Sequence, residues 1–135
     1  MARMKIVARF ADGRILKGHA DNLMLGPAGF HLFPLHDIPE TRAIWLAFSD
    51  LKAVFVVHSF DGKPNYEERK AFGPRESPVG AKLKITFHDG ETMVGKSNNF
   101  DPNATGFFLL PVDAHSNNQR ILVFNHAIKH IKRVA

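Results

Sequence analysis

The chain has no cysteine, which excludes disulfide scaffolding, thiolate metal sites and cysteine nucleophiles together. It has one tryptophan and one tyrosine among 135 residues, although phenylalanine occurs twelve times. No apolar run approaches the roughly 20 residues of a membrane-crossing helix, so no membrane insertion is expected. No glycine-rich loop follows a strand and opens a helix, which argues against nucleotide-dependent chemistry. Nor does any serine or threonine stand in a suggestive context with histidine and carboxylate, and Asp12, Asp50 and Asp89 are accounted for by turn chemistry. The sequence therefore offers no catalytic residue and no cofactor, and the expectation is a protein that is not an enzyme. The absence of cysteine fits a reducing compartment. The N-terminus runs straight into an alternating segment with no signal-peptide pattern, so a cytoplasmic location is expected.

What is present is the composition of an ordinary globular protein, 44% hydrophobic and 23% charged. A net charge of +5 permits attraction to nucleic acid or anionic lipid. The basic residues are scattered along the sequence, however, and only Lys129, Lys132 and Arg133 form a mild cluster. Eight histidines invite a metal reading. His126 and His130 are four apart, but that spacing brings side chains together on a helix and not on a turn and strand, so no metal site is expected.

The dominant feature is a tandem duplication. Sliding the sequence by 77 positions sets Lys5 on Lys82, and residues 5–57 then match 82–134 without a gap. Asp12-Gly13 meets Asp89-Gly90, Gly18 meets Gly95, and Gly29-Phe30 meets Gly106-Phe107. Leu32 meets Leu109, Pro34 meets Pro111, and Val57 meets Val134. About a quarter of the aligned positions are identical, and most others keep their character.

Each copy reads as five short strands rich in β-branched and aromatic residues. In the first copy they are expected at Lys5–Phe10, Ile15–Ala20, Phe30–Pro34, Arg42–Ala47 and Lys52–Val57. In the second they are Lys82–Phe87, Thr92–Asn98, Phe107–Pro111, Arg120–Phe124 and Lys129–Val134. Asp-Gly between the first two strands marks a tight hairpin. The prolines should end the third strands, and only a single tight turn fits before each fifth strand. The expected class is all-β, two tandem five-stranded SH3-like or Sm-like barrels, with one larger sandwich of both copies as the competing architecture. The units are 1–58, a connector 59–80 and 81–135. Within the connector, Asn65–Phe72 is expected as a short helix capped by Asn65. Copies of this size are marginal alone and should pack together.

The second copy resembles the Sm-like family, above all its Hfq-like bacterial branch, over nearly its whole length. The residues that carry this are Phe87-His88-Asp89-Gly90, Gly95, Phe100-Asp101, Phe108-Leu109-Leu110 and Phe124-Asn125-His126-Ala127-Ile128. Departures are Asn125, where Hfq-like proteins carry an RNA-contacting lysine, and a longer loop at Pro102–Gly106. The first copy has Leu23-Met24 for Phe-Asp and Phe48-Ser49-Asp50 for the histidine segment. The whole chain is also similar to a tandem-repeat family of bacterial proteins without assigned function, marked by Phe30-His31-Leu32-Phe33-Pro34 and Leu51-Lys52-Ala53-Val54-Phe55.

The resemblance implies a barrel fold, and through it ring assembly or RNA binding. The expected function is a non-enzymatic binding or assembly module whose partner is another protein or a second copy of the chain. RNA or single-stranded nucleic acid is the alternative ligand, held by Phe100, Asp101, Asn125, His126 and Lys129. Phe108 and Phe100 lack phenylalanine counterparts in the first copy and are expected at the surface, whereas the recurring Phe10, Phe30, Phe87 and Phe107 are expected in the core.

Overall fold

A computed structural model describes residues 3–35, 42–62, 80–113 and 115–134. The helix expected at Asn65–Phe72 and most of the loop after Pro34 lie outside the described residues. No helix is long and apolar enough to cross a membrane among the described residues.

The first copy forms β1 (Met4–Phe10), β2 (Ile15–Ala20), β3 (Gly29–Pro34), β4 (Ile44–Ala47) and β5 (Leu51–Val57). The second forms β6 (Ala81–Phe87), β7 (Thr92–Ser97), β8 (Gly106–Pro111), β9 (Asn118–Phe124) and β10 (Ile128–Arg133). Single 3-10 turns, Phe48–Asp50 and Asn125–Ala127, precede β5 and β10, as the tight spacing there requires.

The Asp-Gly turns work as their chemistry dictates. Gly13 and Gly90 sit at φ of 97° and 93°, a region open to glycine at little cost. Asp12 and Asp89 each accept a hydrogen bond from the backbone N–H two residues on. Pro34 and Pro111 close their strands. Gly18 and Gly95 permit a close crossing: a Cβ at either would lie within 2.4 Å of a carbonyl oxygen on the neighbouring strand.

The duplication is exact in register. Lys5↔His19 in the first copy becomes Lys82↔Lys96 in the second, Gly29↔Ala47 becomes Gly106↔Phe124, and Val54↔Ala8 becomes Ile131↔Ile85. Even the irregularity beside Phe10 and Leu51 recurs beside Phe87 and Ile128.

The ten strands join in one antiparallel sheet, ordered β10-β6-β7-β8-β9-β5-β1-β2-β3-β4. Each copy is thus a five-strand block, and the blocks are fused where β5 pairs with β9. Among the described residues neither block closes on itself by strand pairing. The sheet stays open, with β4 and β10 as its edges. The fusion occupies the edges that closure would need: β5 and β9 each pair with a strand of their own block and turn the other edge to each other, away from β4 and β10.

Two apolar clusters result, and each borrows from the other copy. Ile6, Ala8, Phe30, Leu32, Leu51, Val54 and Val56 form the first cluster with Leu122 and Phe124 of β9. Leu83, Ile85, Phe87, Phe107, Leu109, Ile121 and Val123 form the second with Ala53, Phe55 and Val57 of β5. Because side chains alternate along a strand, β5 and β9 each serve both clusters. Every residue of β5 is buried as a consequence.

Candidate functional site

The fusion seam shows what a strand must offer to complete one of these blocks. β5 lies against β9 with Ala53↔Val123, Val54↔Leu122 and Phe55↔Ile121 in register. Charge then fixes the seam at one end. Lys52, 7% exposed, reaches from β5 to both Asp89 and Glu91 beyond the second copy's hairpin turn, lying 2.6 Å from Asp89 Oδ2. Arg9 on β1 donates to both Glu91 oxygens at 2.9 and 3.1 Å. A cation so little exposed is tolerable because two carboxylates satisfy it.

These contacts shift the acids. The Lys52 hydrogen bond, helped by the Glu91 backbone N–H, holds the Asp89 carboxyl below its ordinary value. Burial works to raise Glu91, but hydrogen bonds from Lys52 and Arg9 overcome it and leave Glu91 lowered as well. Arg9 and Glu91 also border a cleft of about 460 Å³ between the copies, lined further by Val7, Phe55, Val57, Ile121 and Lys17. Both cations are engaged, Arg9 by Glu91 and Lys17 by the Phe60 carbonyl.

The open edge β4 occupies in the first copy the place that β9 occupies in the second. Its Ile44-Trp45-Leu46-Ala47 corresponds to Ile121-Leu122-Val123-Phe124. The two strands hold the same register on their inner neighbours, β3 and β8. Their outer sides differ. Leu122 is fully buried in the first cluster, whereas Trp45, at the same place, is 51% exposed. Trp45 stands edge-on to His31 with ring centroids 5.0 Å apart. Beside them lies a depression of about 400 Å³, lined by Asp21, Met24, Phe30, Phe33 and Trp45 among others. In the second copy the counterpart of His31 is Phe108, half-buried against the first cluster with the Arg120 guanidinium 4.8 Å from its ring. The contact surface made by Phe108 and Leu122 is therefore buried in one copy, and its counterpart is open in the other.

The residues named from the Sm-like resemblance take local partners. Phe100 is half-buried and edge-on to Phe107 at 5.0 Å. Asp101 accepts from the Asn103 N–H, and its own carbonyl, with that of Ala104, accepts from Asn125 Nδ2 at 3.0 and 2.8 Å. His126 Nε2 lies 3.0 Å from the Phe48 carbonyl oxygen, a link between the copies, and its ring stacks on Phe124. Lys129 is exposed on β10. Asp101 and Asn125 are thus brought together by a loop tie, while Phe100 faces inward. Phe108, expected at the surface, is likewise half-buried, because the other copy supplies its cover. No three histidine, aspartate or glutamate side chains converge as a metal ion requires among the described residues.

A protein-family model described as a family of unknown function, DUF6982, matches residues 2–135. The chain belongs to that family. No curated protein and no solved structure matches it.

Sequence reasoning missed both Trp45 and the seam charges. The repeat alignment does set Trp45 against Leu122, but nothing in sequence says which copy's fourth strand is covered. Asp89 was legible as a turn residue. Its second role, holding Lys52, depends on a pairing between copies that no local pattern encodes.

Proposed function

We propose that the chain is a non-enzymatic protein-interaction and assembly module built of two Sm-like five-stranded units, and that it recruits an extended segment of a partner polypeptide onto β4. One observation carries this reading. Inside the chain β5 already sits on β9, and β4 stands in β9's equivalent place with no strand paired to its outer side among the described residues and its tryptophan half exposed. An exposed sheet edge offers unpaired N–H and C=O groups, and partner capture by strand addition draws affinity from them and specificity from alternate side chains.

The seam also states the chemistry of the occupant. β5 presents Ala53, Phe55 and Val57 to one side and Val54 and Val56 to the other. A partner for β4 is likewise an extended segment apolar on both faces. The chain's own β10 is a poor candidate, since it places His130, Lys132 and Arg133 where β5 has Ala53, Phe55 and Val56. Lysines on an edge strand oppose pairing, and a buried lysine in place of Phe55 would lack the acids that hold Lys52. A different polypeptide is therefore favoured over head-to-tail self-assembly. The RNA alternative draws less support, because Phe100, Asp101, Asn125 and His126 are all engaged within the fold.

The single tryptophan supplies the readout. The probe is a synthetic peptide carrying Leu51–Val57 with lysines added at both ends for solubility. Titrated into the protein, it should shift Trp45 emission to the blue and saturate, and Trp45→Phe with Ile44→Lys should abolish binding measured by labelled peptide. An unshifted emission with no saturable binding would contradict the reading. A blue shift on raising protein concentration alone, with growing mass in sedimentation, would replace it with self-assembly.

A further inference from the structure

Register gathers charge that the sequence scatters. On the second copy, Leu83, Ile85 and Phe87 of β6 point into the apolar cluster, so Lys82, Lys84 and Thr86 point outward. The partners of these outward residues share their face: Lys96, Val94 and Thr92 on β7, and Lys132 and His130 on β10. Lys84 stands directly opposite Lys132, and Lys82 directly opposite Lys96. No carboxylate occupies an outward position on these three strands. Like charges directly opposite across strands are destabilising, yet this face sets Lys84 against Lys132.

The equivalent face of the first copy is built for another purpose. Where the second copy has Lys84, His130 and Lys132, the first has Val7, Ala53 and Phe55. Those three pack against the second cluster. Charge has thus replaced apolar side chains at the positions that the other copy does not cover.

We propose that the outer face of β10, β6 and β7 adsorbs to the anionic headgroup plane of a lipid bilayer. This goes beyond strand capture at β4 and uses the opposite end of the sheet. Three observations favour a planar anionic surface over a strand of nucleic acid. The four lysines line neither of the two hollows described above, so among the described residues neither hollow gives them a groove along which a backbone could run. The one ring pointing outward on these strands is the His130 imidazole, so there is no row of rings to stack successive bases. The cations also spread over three neighbouring strands as a patch, which laterally mobile headgroups can meet from any direction. Val94 and Val134 are the only apolar groups on the face, so attachment is electrostatic and peripheral, without insertion.

The full chain would be partitioned between buffer and vesicles by sedimentation, using phosphatidylcholine alone or phosphatidylcholine with one-third phosphatidylserine. Binding to the mixed vesicles at low salt is expected, with loss at high salt and on neutral vesicles. Each lysine contributes about fivefold. Lys84→Gln with Lys132→Gln should therefore weaken partitioning by about 25-fold, while leaving the melting temperature unchanged or raised through relief of repulsion. No partitioning at low salt, equal binding to neutral vesicles, or an unaffected double variant would overturn the proposal. So would a clear fall in the variant's melting temperature. A single-stranded oligonucleotide that binds more tightly than the vesicles, and loses affinity in the same variant, would reassign the face to nucleic acid.

Discussion

β9 and β4 are the same strand of the repeat, held in the same register by the same neighbour, and they meet opposite fates. β9 is roofed by β5 and sends Leu122 and Phe124 into the other copy's core, whereas β4 ends the sheet among the described residues with Trp45 half exposed. A duplicated scaffold can therefore bury a surface in one copy and offer its counterpart in the other. The same holds for β5 and β10, of which one is buried on both faces and the other is basic on its outer side.

The comparison can be broken most forcefully at the seam. Phe124→Ala removes a fully buried ring packed 4.8 Å from Phe48. It should cost about 3–5 kcal/mol in denaturant unfolding. Because each cluster contains residues of both copies, that unfolding should remain a single transition. Two transitions with only one shifted would show that the copies are independent.

Lys52→Met deletes the cation that ties β5 to Asp89 and Glu91. A loss of about 1–2 kcal/mol is expected, held low because both carboxylates remain open to solvent and Arg9 still meets Glu91. The same cluster predicts a pH dependence with a definite sign. Asp89 and Glu91 are lowered from ordinary values of 3.8 and 4.5. As pH falls through and below that range the unfolded chain takes up protons first, so their stabilisation is present above it and is lost on acidification. Thermal melts from neutral pH downward should show this loss, and Lys52→Met should flatten it.

At the open edge the same kind of change should do little to stability. Trp45→Ala should fall within about 0.5–1 kcal/mol of the parent, against a cost of about 2–5 kcal/mol for Leu122→Ala. Comparable losses for the two would mean that β4 is as much a part of the core as β9.

Much of this scaffold was legible in the sequence. The strands lie within a few residues of their expected places because Asp-Gly, the strand-ending prolines and alternating apolar residues act locally. The identity of both copies' registers follows from the duplication. Closure was not legible. Whether the second edge of β5, beyond its pairing with β1, closes on its own β4 or takes β9 is decided by apolar contacts between copies, and Val54 or Phe55 would suit either partner. For the same reason Phe108 reads as a surface residue until the other copy covers it. The basic face was hidden differently, since Lys82, Lys84, Lys96 and Lys132 are dispersed along the chain and meet only through strand pairing.

Amide hydrogen exchange during peptide binding tests the central claim most directly, because it reports which edge is covered. With the β5-sequence peptide bound, the amides of Ile44–Ala47 should slow markedly while those of Ile128–Arg133 keep their rates. Protection at β10, or at neither edge, would contradict the account.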